Sequence, residues 1–192
     1  MPGGRPRGFD LDQALDAAMR VFWRHGYEGT SVTDLTEAMG IAKPSLYAAF
    51  GSKERLLAAA LRRYADGPGS VTSRALTEPT AREVAHRLVE GAITLTTGPD
   101  TPRGCLSVRC AQSRAEEARS AAATHRDAAE LALRARLEAA RAAGDLPPGA
   151  DPADLARFLL TLTDGIAVRA AAGATPDELR RTAELALKAW PT

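Results

Sequence analysis

Apolar residues recur three or four positions apart along most of the chain. Leu11, Leu15, Ala18 and Phe22 follow this spacing near the start, and similar stripes continue as far as Trp190. Such a period places side chains on one face of an α-helix, whereas strands alternate with a period of two. No segment shows that alternation over the length of a strand, so the pattern predicts an all-α protein.

The segment TDLTEAMGIAKPSLYAAFGSKERL, residues 33–56, contains a helix that stops and restarts within three residues. Thr30 and Ser31 open this helix, and Gly40 ends it cheaply because glycine enters the left-handed backbone conformation easily. Pro44 suits the first turn of the next helix, where its missing N–H is not needed. A short turn with a glycine between two short helices is typical of a helix-turn-helix, whose second helix can enter the major groove of DNA.

The sequence DGPGS at residues 66–70 divides the chain into a small N-terminal part and a larger helical part, because it is rich in turn-forming residues. We expect an N-terminal arm and a three-helix helix-turn-helix domain at 1–51, a linking helix at 52–66, and a helical domain at 67–192. Five helices are predicted in the larger part, at 80–97, 105–117, 119–143, 151–173 and 175–190.

Composition narrows the class of protein. The 192 residues are 45% hydrophobic and 26% charged, and no apolar run approaches the ~20 residues needed to cross a bilayer. The N-terminus lacks the apolar core of a secretion signal, so we expect a cytoplasmic protein. A disulfide between Cys105 and Cys110 is not expected, because two cysteines five residues apart on a helix point to different faces.

The net charge is too small to identify a binding partner, since residues 1–65 carry an excess of only two positive charges. Its placement is more informative. Of the three lysines in the chain, Lys43 and Lys53 flank the helix that follows the predicted turn.

The motifs of common catalytic and metal sites are missing from the sequence. It contains no Gly-x-Ser-x-Gly elbow, no phosphate-binding glycine loop, no His-Glu-x-x-His and no cysteine pairs at metal spacing. The three histidines, at 25, 86 and 125, fall on separate predicted helices. We therefore expect no catalytic activity, no metal and no cofactor.

Four motifs in the first third of the chain resemble the TetR family of transcriptional repressors. They are F-x-x-x-G-Y-x-x-T-S-V-x-D-L at 22–35, A-x-G-I at 38–41, S-L-Y-x-x-F at 45–50 and S-K-E-x-L at 52–56. The resemblance implies a homodimeric repressor bound to a palindromic operator in double-stranded DNA. It also implies release when a small molecule, of unknown identity, binds the C-terminal domain.

Candidate DNA contacts follow from these motif positions. The hydroxyl of Thr30, the phenol of Tyr47 and the charge of Lys53 suit contacts to the DNA backbone, whereas the start of the recognition helix suits base edges and thymine methyl groups. Ordinary packing of Tyr47, a solvated Lys53 and a disordered N-terminal arm are the alternatives. The candidates are Arg5, Arg7, Thr30, Ser31, Thr33, Lys43, Pro44, Ser45, Tyr47, Ala48 and Lys53.

One position departs from the family pattern. Ala42 stands where family members often have a capping Ser or Thr, and Pro44 can offset the loss because its ring fixes a helical backbone angle. The start of the recognition helix is therefore open at this point.

The expected effector site is less defined. Arg103, Gly104, Cys105 and Leu106 resemble a segment near the effector pocket in one branch of the family. Cys105 would sense oxidants or electrophiles if Arg103, Arg109 or a helix N-terminus stabilised its thiolate, and otherwise it is a small buried residue. The candidate effector residues are His86, Cys105, Arg109, Phe158, Thr161 and Asp164.

The last two helices are where family members generally form a four-helix dimer interface, and reading two half-sites requires a dimer. The candidate interface residues are Leu155, Leu159, Leu162, Ile166, Leu179, Ala183, Ala186 and Trp190. The alternative is that both stripes belong to the core of one protomer. A further alternative is a helical protein-interaction module whose helix-turn-helix is architectural and binds no duplex.

Overall fold

The computed structural model describes residues 10–191. Within that range the chain forms helices, turns and loops without strands, which confirms the all-α prediction. The helices are α1 (Leu11–His25), α2 (Val32–Met39), α3 (Lys43–Phe50), α4 (Lys53–Asp66), α5 (Val71–Ala75), α6 (Ala81–Thr97), α7 (Leu106–Ala111), α8 (Glu116–Ala142), α9 (Pro152–Ala171) and α10 (Pro176–Leu187). None of these helices is long and apolar enough to cross a membrane.

The predicted helix-turn-helix is formed by α2 and α3. Ser31 and Asp34 make a reciprocal capping box at the start of α2, and Gly40 ends the helix with φ 64° in the left-handed region. Ala42 caps α3 without a side-chain hydrogen bond, and Pro44 lies in the first turn of this helix. The helix therefore begins at Lys43 without a side-chain cap, and Pro44 suits its first turn because the ring fixes a helical backbone angle.

An N-terminal core joins α1 to α4 around Phe22, Trp23, Leu46 and Tyr64, which are all fully buried. This core continues beyond the predicted domain boundary. Leu106 and Cys110 from α7, together with Ala118 and Ala122 from α8, are buried in the same cluster. Helices α1 to α4 thus share one core with α7 and the first part of α8.

A C-terminal core holds the rest of the chain together. It packs α6 and the second half of α8 against α9 and α10, with Leu133, Leu137 and Leu159 fully buried. Trp190 lies just beyond α10 and is buried against this core. The longest helix in the described range, α8, has 27 residues and contributes buried side chains to both cores.

Two predicted helices end earlier than expected, and one helix was not predicted. The helix expected at 105–117 ends at Ala111, because Glu28 holds a turn there by accepting hydrogen bonds from the backbone of Arg114 and Ala115. The short helix α5 lies where only a joint was expected. The last helix ends at Leu187, before Trp190.

Candidate DNA-binding surface and effector cavity

Five of the eleven candidate DNA contacts lie on α3. Leu46 is fully buried and fixes the helix on the N-terminal core. The neighbouring Tyr47 is 41% exposed, and Lys43, Pro44 and Ala48 are exposed as well. Ser45 is half-buried. A helix anchored by one leucine thus presents a polar and aromatic face to solvent, as a recognition helix requires.

The structure contradicts the prediction that the Thr30 hydroxyl contacts the DNA backbone. Its side chain is only 1% exposed, and its hydroxyl donates a hydrogen bond to the Gly26 carbonyl at 2.6 Å. The hydroxyl is therefore used inside the protein and does not face a DNA phosphate. Ser31 and Thr33, at the start of α2, are exposed. Arg5 and Arg7 lie outside the described residues.

Lys53 is held in place by an aromatic ring. Its Nζ lies 4.1 Å from the centroid of the Tyr27 ring, and burial lowers the pKa of the ammonium group. The Tyr27 hydroxyl donates to the Glu54 carboxylate. Hydrogen bonds from the Ser52 and Tyr27 hydroxyls lower the pKa of Glu54 to about 2. Tyr27 and Glu54 were not among the candidate residues, because their contacts around Lys53 form only on folding.

Residues 103–105, the Arg-Gly-Cys motif, form hydrogen bonds with three different helices. The Arg103 side chain donates to the carbonyls of Ala170, in the last turn of α9, and of Ala174, in the loop after α9. The Gly104 carbonyl accepts from the buried indole N–H of Trp23 in α1 at 2.8 Å. The Tyr64 hydroxyl in α4 donates to the Cys105 Sγ at 3.2 Å.

Glycine is required at position 104. Its φ of 89° lies in the left-handed region, and a Cβ there would come within 3.1 Å of the Ala171 Cβ. We call residues 103–107 the junction segment.

A second contact joins the two parts of the chain. The carboxylate of Glu28, after α1, accepts hydrogen bonds from the Ser113 hydroxyl at 2.5 Å and from the amides of Arg114 and Ala115. The Ser113 hydroxyl is the main reason that the pKa of Glu28 falls to about 2. The amides lie at the N-terminus of α8, where the helix dipole favours a negative charge. No local pattern in the sequence marks this contact, which we call the Glu28 bridge, because its partners lie 85 or more residues apart.

A cavity of about 450 Å³ opens beside the junction segment. Residues from α4 to α9 line it. They include apolar side chains of α6 and α9, polar side chains of the junction segment, and charged side chains of α8 and α9. The volume lies in the range of sites for small organic ligands.

The cavity brings together half of the candidate effector residues. Cys105, Thr161 and Asp164 line it, and His125 and Arg126 of α8 lie beside them. Burial is the main cause of the lowered pKa of His125. Arg126 forms an ion pair with Asp164.

Three candidate effector residues lie elsewhere. His86 is exposed on the outer face of α6. Arg109 packs against the turn at Gly26, where a Cβ would lie 3.3 Å from its Cδ. Phe158 packs against the C-terminal core. These three do not line the cavity, because helical packing turns their faces of α6, α7 and α9 away from it.

The two arginines considered as partners of Cys105 have other contacts. The guanidinium of Arg103 is bound to backbone carbonyls, and Arg109 lies against Gly26. The half-buried Cys105 instead receives a hydrogen bond from Tyr64. Cys110 is buried, and burial raises the pKa of its thiol to about 12.

The predicted dimer stripe lies mainly inside the protomer. The buried members pack in the C-terminal core because α9 and α10 turn their apolar stripes toward α6. They are Leu159, Ile166, Leu179, Ala183 and Trp190. Leu155, Leu162 and Ala186 are half-buried. The opposite faces of the two helices expose Val168 (44%) and Leu185 (66%).

No cluster of three or more metal-ligating side chains occurs within residues 10–191.

Two family models match the chain. Residues 14–60 match the model for bacterial regulatory proteins of the tetR family, and residues 84–186 match the tetracyclin repressor-like C-terminal domain. ComR, an HTH-type transcriptional repressor of Escherichia coli strain K12, is 35% identical over 98% of this chain and 92% of its own length. BdcR, an HTH-type transcriptional repressor of the same strain, is 29% identical over 98% of this chain and 93% of its own length.

A solved structure provides a comparison with bound DNA. It contains a cysteine mutant of CifR, a TetR family transcriptional regulator, complexed with 26-bp double-strand operator DNA. The present fold matches it with a TM-score of 0.91 and 41% identity, covering 97% of this chain and 100% of that chain.

Proposed function

The chain belongs to the TetR family of bacterial transcriptional regulators, and from this premise we propose that it is a homodimeric repressor released from a palindromic operator by a small molecule. The cavity beside the junction segment is the proposed effector site. The role is regulatory rather than catalytic, and it places the protein in the cytoplasm. We propose that residues 1–51 bind DNA and that helix 52–66 links this domain to the next. Residues 67–192 would bind the effector and the second copy of the chain.

The shared N-terminal core is the observation that carries this proposal. Leu106 and Cys110 of α7 are buried against α1 to α4, and the same short helix contributes Ser107 and Val108 to the cavity. A ligand that displaces α7 must therefore disturb the packing beneath the recognition helix. Coupling between sites of this kind is typically ~1–3 kcal/mol, and it acts equally in both directions.

The proposed DNA contacts are the exposed side chains on α3, the exposed start of α2, and Lys53. Lys43, Ser45 and Ala48 would meet bases, while Tyr47 and Lys53 would meet the DNA backbone. The proposed interface of the dimer is the outward face of α9 and α10. Its supports are the exposed Val168 and Leu185, and Gly165, where open space surrounds the backbone.

Selection of bound sequences from a random duplex pool tests the proposal. The wild-type protein should enrich a palindrome, and binding should weaken steeply with added salt. Tyr47→Ala and Lys53→Ala should lose the enrichment while the dimer stays folded. Lys188→Ala removes a lysine beyond α10 and is the matched control. Failure of the folded wild-type dimer to enrich any sequence at low salt would overturn the proposal.

A second candidate function is redox sensing through Cys105, favoured by its position at the cavity with the Tyr64 hydroxyl 3.2 Å away. With hydrogen peroxide, the sulfur takes one oxygen, the O–O bond breaks, and the leaving hydroxide takes the thiol proton to form water. Cys105→Ser should abolish release by peroxide and keep basal operator binding. Cys110→Ser is the control, and a peroxide response that persists in Cys105→Ser excludes this mechanism.

A further inference from the structure

Ser107 is a buried hydroxyl without a protein partner. It is the second residue of α7, its side chain is only 4% exposed, and its Oγ forms no hydrogen bond with any described residue. A buried hydroxyl in this state is unfavourable, and most such groups in proteins are paired. Ser107 is also one of the residues that line the cavity. Its partner therefore has to come from whatever fills that space.

Three neighbouring hydroxyls at the cavity are already used. Thr96 donates to the Ala92 carbonyl at 2.7 Å, Thr163 donates to the Leu160 carbonyl at 3.0 Å, and Tyr64 donates to Cys105. Ser107 differs from them because its proton is uncommitted. A ligand oxygen near α7 would thus gain a hydrogen bond without breaking one inside the protein.

Apolar side chains supply much of the remaining wall. Leu88 and Leu95 of α6, Val71 of α5, and Leu160 and Ala167 of α9 all line the cavity. Transfer of an apolar ligand body into this space removes hydrophobic surface from water on both sides. The wall thus favours a ligand that is mostly hydrocarbon.

The charged side chains at the cavity do not favour an anion. Arg126 is paired with Asp164, and Arg157 is paired with Asp154. The pKa of His125 is lowered, chiefly by burial and then by the charge of Arg126, and both disfavour a positive charge on the imidazole. A carboxylate or phosphate ligand would have to break an existing ion pair.

A cation is disfavoured for a different reason. Asp127 and Glu130 also line the cavity, but Asp127 is exposed and Glu130 is half-buried. Water already solvates these two carboxylates, and an ammonium ligand would replace that water at little gain. The buried polar group that lacks a partner is the neutral hydroxyl.

We infer that the cavity takes an uncharged molecule with an apolar body and one hydrogen-bonding oxygen, to which the Ser107 hydroxyl donates. This inference rests on the proposed function only in calling the ligand an effector. The binding chemistry is independent of whether occupancy releases DNA.

Matched ligand quartets test the inference on the full-length dimer without DNA. One quartet is 4-phenyl-2-butanone, butylbenzene, 3-phenylpropanoate and the 4-phenyl-2-butylammonium ion, and the cyclohexyl and linear alkyl analogues give two more. Calorimetry should rank the ketone first in each quartet. If a carboxylate or ammonium member binds more tightly than its ketone, the inference is wrong. It is equally wrong if no member of any quartet binds at millimolar concentration, because the cavity has room for all of them.

Ser107→Ala isolates the hydroxyl. This variant should lower ketone affinity about fivefold to tenfold and leave the affinity of the hydrocarbon unchanged. The melting temperature of the unliganded protein should not fall by more than about 2 °C, because the deleted group has no partner to lose. Thr97→Val is the matched control, since that hydroxyl already donates to the Ile93 carbonyl and does not line the cavity. Equal ketone affinities of the wild type and Ser107→Ala would contradict the assignment.

Operator binding is measured separately on the selected duplex. A ketone that binds through Ser107 without changing operator affinity refutes the release mechanism and leaves the ligand class intact. Release by a carboxylate but not by the ketone refutes the ligand class and leaves the release mechanism intact.

Discussion

The proposed DNA-binding surface and the cavity are built in opposite ways. Five candidate DNA contacts lie within residues 43–48 of one short helix, and four of them are exposed to solvent. The cavity draws its wall from six helices, with residues as far apart as Tyr64 and Ala167. One region is local and exposed, whereas the other exists only through packing.

This difference predicts how each region responds to substitution. Side chains on the exposed face of α3 can change DNA affinity with little effect on folding, because few native contacts depend on them. Side chains at the junction segment serve the fold and both sites together. Changes there should therefore alter stability and DNA binding at once. Four substitution experiments test this contrast.

Leu46 and Tyr47 are sequence neighbours on opposite sides of α3. Leu46→Ala should lower the free energy of unfolding by about 2–5 kcal/mol, because it empties a fully buried position. Tyr47→Ala should leave that free energy within about 0.5 kcal/mol and still reduce operator affinity. Chemical denaturation and operator titration of both variants measure the difference. Equal destabilisation by the two substitutions would contradict the exposed placement of Tyr47.

A substitution on the outward face of α9 and α10 should disrupt the dimer without unfolding the protomer. Leu185→Arg should weaken the dimer by about 2 kcal/mol or more if Leu185 lies near the centre of the interface. Sedimentation equilibrium measures this effect. Leu131→Arg on α8 is the control, because Leu131 is equally exposed (69%, against 66% for Leu185) on a different helix. If the dimer persists in Leu185→Arg, this face is not the dimer interface.

Trp23 should matter to both regions. Trp23→Phe should lower the free energy of unfolding by about 1–3 kcal/mol, because the buried Gly104 carbonyl loses the indole N–H. The same substitution at the buried Trp190 removes similar ring volume and serves as the control. Denaturant titration should show a larger loss for Trp23→Phe. If the two losses are the same, the bond to Gly104 adds no measurable stability.

The Glu28 bridge should have the smallest effect on stability, less than about 1 kcal/mol, because the carboxylate is exposed to solvent. The folded-state pKa of Glu28, about 2, lies below the ordinary value of 4.5, so its contribution is present above pH 4.5. The stability difference between the wild type and Glu28→Gln should be constant from pH 8 to 5 and shrink as the pH falls toward 2. Glu37→Gln, an exposed carboxylate on α2, controls for charge. A difference that grows on acidification would contradict the bridge.

The local region was the more predictable one. The cap at Ser31, the stop at Gly40 and the first-turn Pro44 are local signals, and the structure has α2 and α3 where those signals predicted them. The prediction for Thr30 was wrong because its hydroxyl can donate a hydrogen bond to a protein carbonyl as well as to a DNA phosphate. The choice depends on how near the Gly26 carbonyl lies after folding.

The packed region was predictable only in outline. Helical stripes on α9 and α10 indicated apolar faces, but a stripe alone does not say whether its partner is α6 or a second copy. Leu159 and Leu179 pack inside the protomer. Ser107 gave no sequence signal, because a serine in a short helix becomes notable only when packing leaves it buried and unpaired.

If the proposed DNA-binding surface and the cavity share one core, the two sites should be coupled. Hydrogen–deuterium exchange of the dimer, with and without its selected operator, measures this coupling without an effector. We expect operator to slow exchange in α2 and α3, and also in residues 104–119, which do not touch DNA in the proposed complex. Protection confined to α2 and α3, with unchanged exchange in the junction segment and the start of α8, would contradict the coupling.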